Sequence, residues 1–451
     1  MTRTKSNLLI ALIYEDPQIY RDLGYPASHI SHLDTCTPAE DVIVVLSRLG
    51  HRVVPIPDVQ TLARKLGAGE GAQWDLAVNI AAGVYGAARE AQVPAMLEAF
   101  AVPFTFSDTA TMALCLDKGK TKMVLEHYGI PTSPFAIINL DRHPDKPITS
   151  NVINSLTKGS KHASSLLDPA SYPLFAKPLA EDTSKGIKEI SVIHNVNQLC
   201  QAIEELRLST RAIPAILVEK FLAGREFTVG ILGTGDDAWV LGVDEIVWSD
   251  QVNGDSDVVQ FATEKSKTSE DWDGIADEIP ANRADPLVER ACTVALRAWR
   301  AIGCRDGGRV DVRFDASAGV ANVLKINPLA GLKPDWSQLP MIAAHNGIAM
   351  EDVTFGMMKA DPIGGELATS PDSFSPYIVL DRLLSYSTSE DQGPPTPLFL
   401  LWACVSSPDY DPGATDRHDG CRRFRVSCDR LRGLDESRSP SAKPAQLGSQ
   451  E

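Results

Sequence analysis

Strand and helix signals alternate without interruption through the N-terminal hundred residues, and this alternation restricts the chain to few folds. LLIALIY (8–14) is a short apolar run, and PAEDVIVVLSRLG (38–50) carries apolar residues at helical spacing and ends in Gly. HRVVPIP, VQTLARKLG, WDLAVNI and AREAQVPAMLEAF repeat the strand–helix pair twice more. A βαβαβα order predicts a parallel, doubly wound sheet with helices on both faces. Ligands of such sheets sit beyond the carboxyl ends of the strands. That rule selects Glu15 and Asp16 after the first strand and Asn79 through Tyr85 after the third. Glu15 reads equally well as a solvated loop acid.

With 451 residues the chain exceeds one ordinary core, at roughly 150 residues per domain. A formal charge of −16 argues against a whole-surface nucleic-acid or membrane binder, because both partners are anionic, and leaves room for a local basic patch. The N-terminal apolar run is too short and too soon followed by acids for a secretory signal, and LFLLWACV (398–405) falls far short of a bilayer span. The eight cysteines form no CxxC pair, so reduced thiols and a cytoplasmic location are expected.

Further along, a helix is predicted over roughly 108–129, capped by Ser107 or Asp108 and closed by Gly129 with Pro131 beyond. Residues 140–170, rich in Pro, Ser, Asp and Lys, read as a surface insertion. YPLFAKP, IKEISVI, AILVEKFL and REFTVGILG read as strands of a smaller α+β unit, and a helix at 284–302 leads into a hairpin of VDVRF and ANVLKIN turning at DASAG. Beyond about 360 the Pro- and Ser-rich sequence predicts a tail of low order. Its arginines (Arg417, Arg422, Arg423, Arg425, Arg430, Arg432) are interspersed with Asp, as in a solvated tail; a nucleic-acid-binding tail is the alternative. Cys404, His418, Cys421 and Cys428 lack a zinc-ligand spacing.

Three segments carry chemistry. Lys177 ends an apolar strand and precedes PLAEDTSKGIKEI, a loop whose amides and Thr183 and Ser184 hydroxyls suit phosphate oxygens, though an ordinary hairpin turn fits as well. LVEKFLAGREF places Glu219 at the end of an apolar strand and Glu226 after a Gly turn, where acids and main-chain groups can accept from an adenine amino group and ribose hydroxyls. In the hairpin, Asp311 and Asn327 are hard oxygen ligands of the kind magnesium selects, and Lys325 lies two residues before the Asn on the same face.

Taken in order, LDKGKTKMVLEHYGIPTSP, YPLFAKP, ILVEKFLAGREFTVGILG, GRVDVRFD and NPLAGL resemble segments of the ATP-grasp superfamily, most closely of the D-alanine:D-alanine ligase family, over roughly residues 8–358. The resemblance implies an α/β, ATP-grasp architecture: an N-terminal doubly wound parallel-sheet domain (1–112), a small lid subdomain (113–224), a C-terminal subdomain with the metal site (225–360), these two enclosing the nucleotide, and the disordered tail (361–451). It implies that Lys122 and Lys177 contact ATP phosphates, with Glu219, Lys220, Phe221, Leu222 and Glu226 around adenine and ribose and Lys265 a further phosphate contact. Asp311 and Asn327 would hold Mg2+ (or Mn2+), Arg309 would face the reacting carboxyl and phosphate, and Gly331 would line the acceptor pocket. Glu15 would orient the first substrate's ammonium, and Thr183 would stand where a Ser usually helps. The implied activity joins small-molecule amino acids through an acyl phosphate, with neither nucleic acid nor membrane as partner. A homodimer is suggested by the resemblance alone.

Three positions depart from the family pattern. LKINP replaces LEINP, so Lys325 stands where a bridging Glu is usual; Asp182 stands where a Gly admits phosphate; and Ala330 replaces a Pro before Gly331. An ammonium about 4 Å from a divalent ion is repelled by roughly 8 kcal/mol at an effective dielectric near 20. The alternatives are therefore a nucleotide-binding protein that no longer ligates, or a ligase for other amino acids, and Lys325 pairing with Asp182 or binding phosphate in place of one magnesium is a third possibility.

Overall fold

In the computed structural model the described residues are 7–30, 33, 39–140, 147–158, 160–180, 191–209, 215–248, 276–334 and 336–359. All belong to the first of the two units into which the chain divides, Met1–Ser370 and Pro371–Glu451. The tail expected beyond 360 lies outside the described residues.

Because β1 (Leu9–Ile13) is apolar at every position, it can be buried on both faces, and it occupies the centre of a parallel sheet with β2 (Arg52–Ile56) and β3 (Leu76–Asn79), in the order β2-β1-β3. Ile10 and Leu12 pack with Val42 and Leu46 of the helix Ala39–Arg48. Ala11 and Ile13 pack on the opposite face with Leu62 and Leu66 of Val59–Gly67 and with Val93 and Leu97 of Gln92–Ala99. The doubly wound expectation is met, and the carboxyl end of β1 runs directly into Glu15.

The helix expected over 108–129 is two helices, Thr109–Leu116 and Lys118–His127. Asp117 interrupts them with extended backbone (φ −84°, ψ 92°), its carboxylate accepting from Lys120 N at 3.0 Å. An Asp side chain offers the backbone this alternative to helix continuation. Asp108 caps the first helix, accepting from Thr111 N at 2.8 Å.

A second sheet pairs β4 (Phe135–Asn139), β5 (Leu174–Pro178), β6 (Val192–Ile193) and β7 (Ala215–Lys220) antiparallel in the order β4-β7-β5-β6. The expected strand IKEISVI is described only from 191 onward. Residues 140–170 are more than the surface insertion expected. Ile148, Ile153, Leu156 and Leu166 are buried against Ala136, Ile138, Leu174 and Val218 of the sheet and Leu199 and Ile203 of Val196–Ser209. The few apolar residues among the polar ones fall on the inner sides of Ser150–Leu156 and Ala163–Leu166, which composition alone conceals.

The third sheet is antiparallel: β8 (Glu226–Leu232), β9 (Trp239–Trp248), β10 (Ala276–Pro280), β11 (Gly307–Asp315) and β12 (Val320–Asn327), in the order β10-β9-β8-β11-β12. Phe227, Val229, Val310, Val312 and Ile326 bury one face against Val288, Ala291, Ala295 and Trp299 of the helix Pro286–Ile302. On the other face, the helix Gln338–His345 brings Ile342 over Gly230 and Gly242, where any Cβ would lie 3.1 and 2.7 Å from its Cγ2. His345 Nδ1 lies 3.0 Å from the Oδ1 of buried Asp244 on this face. Leu232 and Leu241 join this packing, and Thr228, Arg309 and Asp311 lie further along the same face. A bridge between Thr132 and Val323 links the chain entering β4 to β12.

Candidate functional site

The β11–β12 hairpin sets up one polar cluster through its register. Arg309 lies opposite Asn327 and Asp311 opposite Lys325, with Thr228 and Gly230 of β8 facing Asp311 and Arg309 from the other side. Opposed residues project to the same face of an antiparallel pair, so Arg309, Asp311, Lys325 and Asn327 share a surface. The pairing shifts between Asp311 and Val312, leaving Leu324 as the extra residue of a bulge beside Lys325. Arg309 Nη1 is 3.8 Å from Asp311 Oδ1, which also accepts from Thr228 Oγ1 at 3.3 Å. The Asn327 amide satisfies both neighbours when its oxygen accepts from Arg309 Nε at 3.3 Å and its nitrogen donates to Leu329 O at 3.0 Å.

A second cluster joins residues from the helix Lys118–His127, β5 and β7. Buried Glu219 receives Lys122 Nζ at 2.8 Å on one oxygen and Lys177 Nζ at 2.5 Å on the other. Lys177 and Glu219 meet because β5 and β7 pair Phe175 with Glu219 and Lys177 with Leu217, making the two charged residues diagonal neighbours on one face. Burial alone would raise the Glu219 pKa, but the two ammonium groups outweigh it and hold the carboxyl down at about 2. Burial lowers the pKa of Lys122, against the pull of Glu219. Lys122 Nζ also donates to Thr132 Oγ1 at 2.7 Å, and that hydroxyl donates to Val323 O at 2.9 Å, so this cluster is tied to the backbone of β12.

The other residues selected from sequence distribute around these clusters. Lys220 turns to Asp315 at 2.8 Å, outside the Lys122–Glu219–Lys177 group, and this contact holds the Asp315 carboxyl below the usual range. Phe221 stacks under the Arg313 guanidinium, 5.0 Å from its ring centroid, and Arg313 Nη1 donates to Glu226 at 3.0 Å. Leu222 is buried and Gly331 is exposed. Glu15 is buried and accepts from the Tyr20 hydroxyl. Burial pushes its pKa up to about 7, with the Tyr20 hydrogen bond opposing and Asp58 adding to the rise. Thr183, Asp182 and Lys265 lie outside the described residues.

Sequence reading missed Tyr20, Thr132, Thr228 and Arg313, all of which touch selected residues. Tyr20, five residues after Glu15, gave no signal beyond proximity. Arg313 did carry one, since it follows Asp311 at the two-residue spacing of a shared strand face.

As a metal site the first cluster supplies one carboxylate and one amide oxygen, flanked by the cations Arg309 and Lys325. Among the described residues there is no group of three or more His, Cys, Asp or Glu placed to hold a metal. The donor set fits a single divalent ion whose remaining ligands come from phosphate and water. It does not fit a second ion bridged by protein carboxylates.

A doubly wound domain followed by two antiparallel α+β sheets is the fold of the ATP-grasp proteins. The D-alanine–D-alanine ligase from Bacillus anthracis complexed with ATP superposes with a TM-score of 0.54 at 18% identity, covering 78% of this chain and 97% of that one. The profile of the family D-ala D-ala ligase C-terminus matches residues 124–359. Over 315 residues the chain is 30% identical to the D-alanine–D-alanine ligase of Methylocella silvestris, covering 69% of this chain and 87% of that protein. It is 27% identical over 323 residues to that of Gluconobacter oxydans, covering 71% and 91%. The chain belongs to the D-alanine–D-alanine ligase family and is an ATP-dependent ligase of that general kind.

Proposed function

We propose that the protein joins two small amino acids of the D-alanine class, one carboxylate to one amine, using ATP bound between the second and third sheets. The observation that carries this reading is the register of β11 and β12, which sets Arg309, Asp311 and Asn327 side by side. On this reading residues 1–112 hold the first substrate, 113–224 form a lid and 225–360 carry the phosphoryl-transfer face. Its cytoplasmic location rests on the scattered cysteines, and a homodimer on family kinship.

Lys122 and Lys177 serve the ATP phosphates, which compete with Glu219 for their ammonium groups. Glu219, Lys220, Phe221, Leu222 and Glu226 lie along the adenosine, Lys265 adds to the phosphate contacts, and Thr183 stands by the reacting centre. Glu15, when ionised, takes the ammonium of the first amino acid. Arg309 orients its carboxylate, one oxygen of which attacks the terminal phosphorus as ADP leaves. The second amine, lodged by Gly331, attacks the acyl carbon, phosphate departs, and the nitrogen loses a proton. Magnesium or manganese, held by Asp311 and Asn327, would supply positive charge to the polyphosphate. Catalysis is then mainly positioning and charge stabilisation in a closed site.

The test is ADP release by the purified protein with ATP and magnesium, dependent on D-alanine, with dipeptide measured in the same samples and other amino acids run in parallel. Release matched by dipeptide supports the reading. Tight nucleotide binding with no turnover on any amino acid would favour a nucleotide-binding protein without ligase activity, a reading that the opposition of Lys325 to Asp311 motivates.

A further inference from the structure

Lys325 does not point away from the phosphoryl-transfer face. Its place opposite Asp311 puts it beside Arg309 and Asn327, and its side chain lines a small cleft with Lys118, Asn327 and Glu90. Lys118 opens the helix that carries Lys122. Among the residues lining this cleft, the cations Lys118 and Lys325 outnumber the carboxylate Glu90. The cleft so lined has an excess of positive charge fixed by the protein itself, and the adjoining pair Asp311 and Asn327 leaves oxygen ligands for one divalent ion.

We propose that the Lys325 ammonium is a polyphosphate-binding cation of this site, neutralising charge that a second divalent ion would otherwise carry, so that the protein binds a nucleoside triphosphate with one divalent ion and retains binding when that ion is removed. The bulge at Leu324 is the local device: the extra residue kinks β12 beside Lys325 and re-aims the side chains there. An ammonium is a compact point charge on a long stem, suited to phosphate oxygens without demanding planar geometry. The inference rests on the nucleotide-site reading above.

The experiment uses the full chain, a non-hydrolysable ATP analogue and Mn2+ counted by electron paramagnetic resonance. Calorimetric titration of the same analogue in EDTA is run beside it. The unmodified protein is expected to hold one Mn2+ per bound nucleotide and to bind the analogue in EDTA. Lys325→Gln should weaken binding in EDTA by roughly 10- to 100-fold, the loss of one charge-assisted hydrogen bond, and Lys325→Glu should gain a second Mn2+. Thermal melting of each variant separates these effects from misfolding, and Lys65→Gln, which removes a lysine bonded to Glu70 in the N-terminal domain instead, should leave the Mn2+ count unchanged. Two Mn2+ on the unmodified chain, or EDTA binding indifferent to Lys325, would overturn the inference while leaving nucleotide binding intact. Absence of nucleotide binding by the unmodified chain would overturn both this inference and the reading beneath it.

Discussion

Replacing Glu219 by Gln tests the buried charge cluster most sharply. The residue is 3% exposed and holds two ammonium groups at 2.8 and 2.5 Å. The substitution keeps the shape and removes the only carboxylate in contact with both lysines among the described residues. Breaking a buried pair by removing one partner costs about 3–5 kcal/mol. The depression of the carboxyl pKa from 4.5 to about 2 corresponds to roughly 3 kcal/mol at 1.36 kcal/mol per unit. The two routes agree on a loss near 3 kcal/mol at neutral pH, read by urea denaturation followed by circular dichroism. The pH dependence has a definite sign. A depressed carboxyl contributes stability that is full above about pH 4.5 and is lost as the pH falls toward 2, so the unmodified protein should show that acid loss and the variant should not. In the variant buried Lys122 loses the carboxylate that opposes the effect of its burial, so its pKa falls further and the variant's deficit should shrink as the pH rises. Polyphosphate offers the two lysines a replacement anion, so ATP should raise the variant's midpoint more than the parent's. A loss below about 1 kcal/mol at pH 7, typical of exposed pairs, would refute the claim that this cluster is buried and mutually dependent.

Glu15, with its pKa raised to about 7, should bind a substrate ammonium only once ionised. The KM of the first amino acid is therefore expected to fall as the pH rises through about 7, Tyr20→Phe should move that midpoint upward, and Glu15→Gln should flatten it; a flat profile in the parent would contradict the role. Gly308→Ala would place a Cβ 2.5 Å from Asn327 O and 2.7 Å from Trp299 Cη2, so a loss of about 1–3 kcal/mol is expected in thermal melts, together with weaker metal binding as Asn327 shifts. Asp311→Asn should lower magnesium-dependent turnover by roughly 100-fold or more with little change in melting temperature, as measured by steady-state ADP release.

The elements were legible wherever one periodicity dominated. The run from Leu9 to Ile13 is apolar throughout because it faces helices on both sides, and the pattern of the helix Pro286–Ile302 follows its packing on one sheet face. The break at Asp117 was not legible, since the surrounding residues favour helix and only the side-chain bond to Lys120 N decides against continuity. The segment 140–170 misled because Ile148, Ile153, Leu156 and Leu166 are thinly spread among polar residues, yet each reaches the core. Family motifs named Lys122, Lys177 and Glu219 but not their union, which depends on the offset between β5 and β7. Register is a tertiary property, and it also turned Lys325 from a departure in a motif into the direct neighbour of Asp311.

The fate of the carboxylate oxygen tests the central claim most directly. With D-alanine labelled by oxygen-18 in its carboxyl group, mass spectrometry of the products is expected to show one labelled oxygen in the inorganic phosphate for each dipeptide formed, as an acyl phosphate requires. Dipeptide formed with unlabelled phosphate, or labelled alanine recovered unchanged while ATP is hydrolysed, would contradict a carboxylate–amine ligase working through this site.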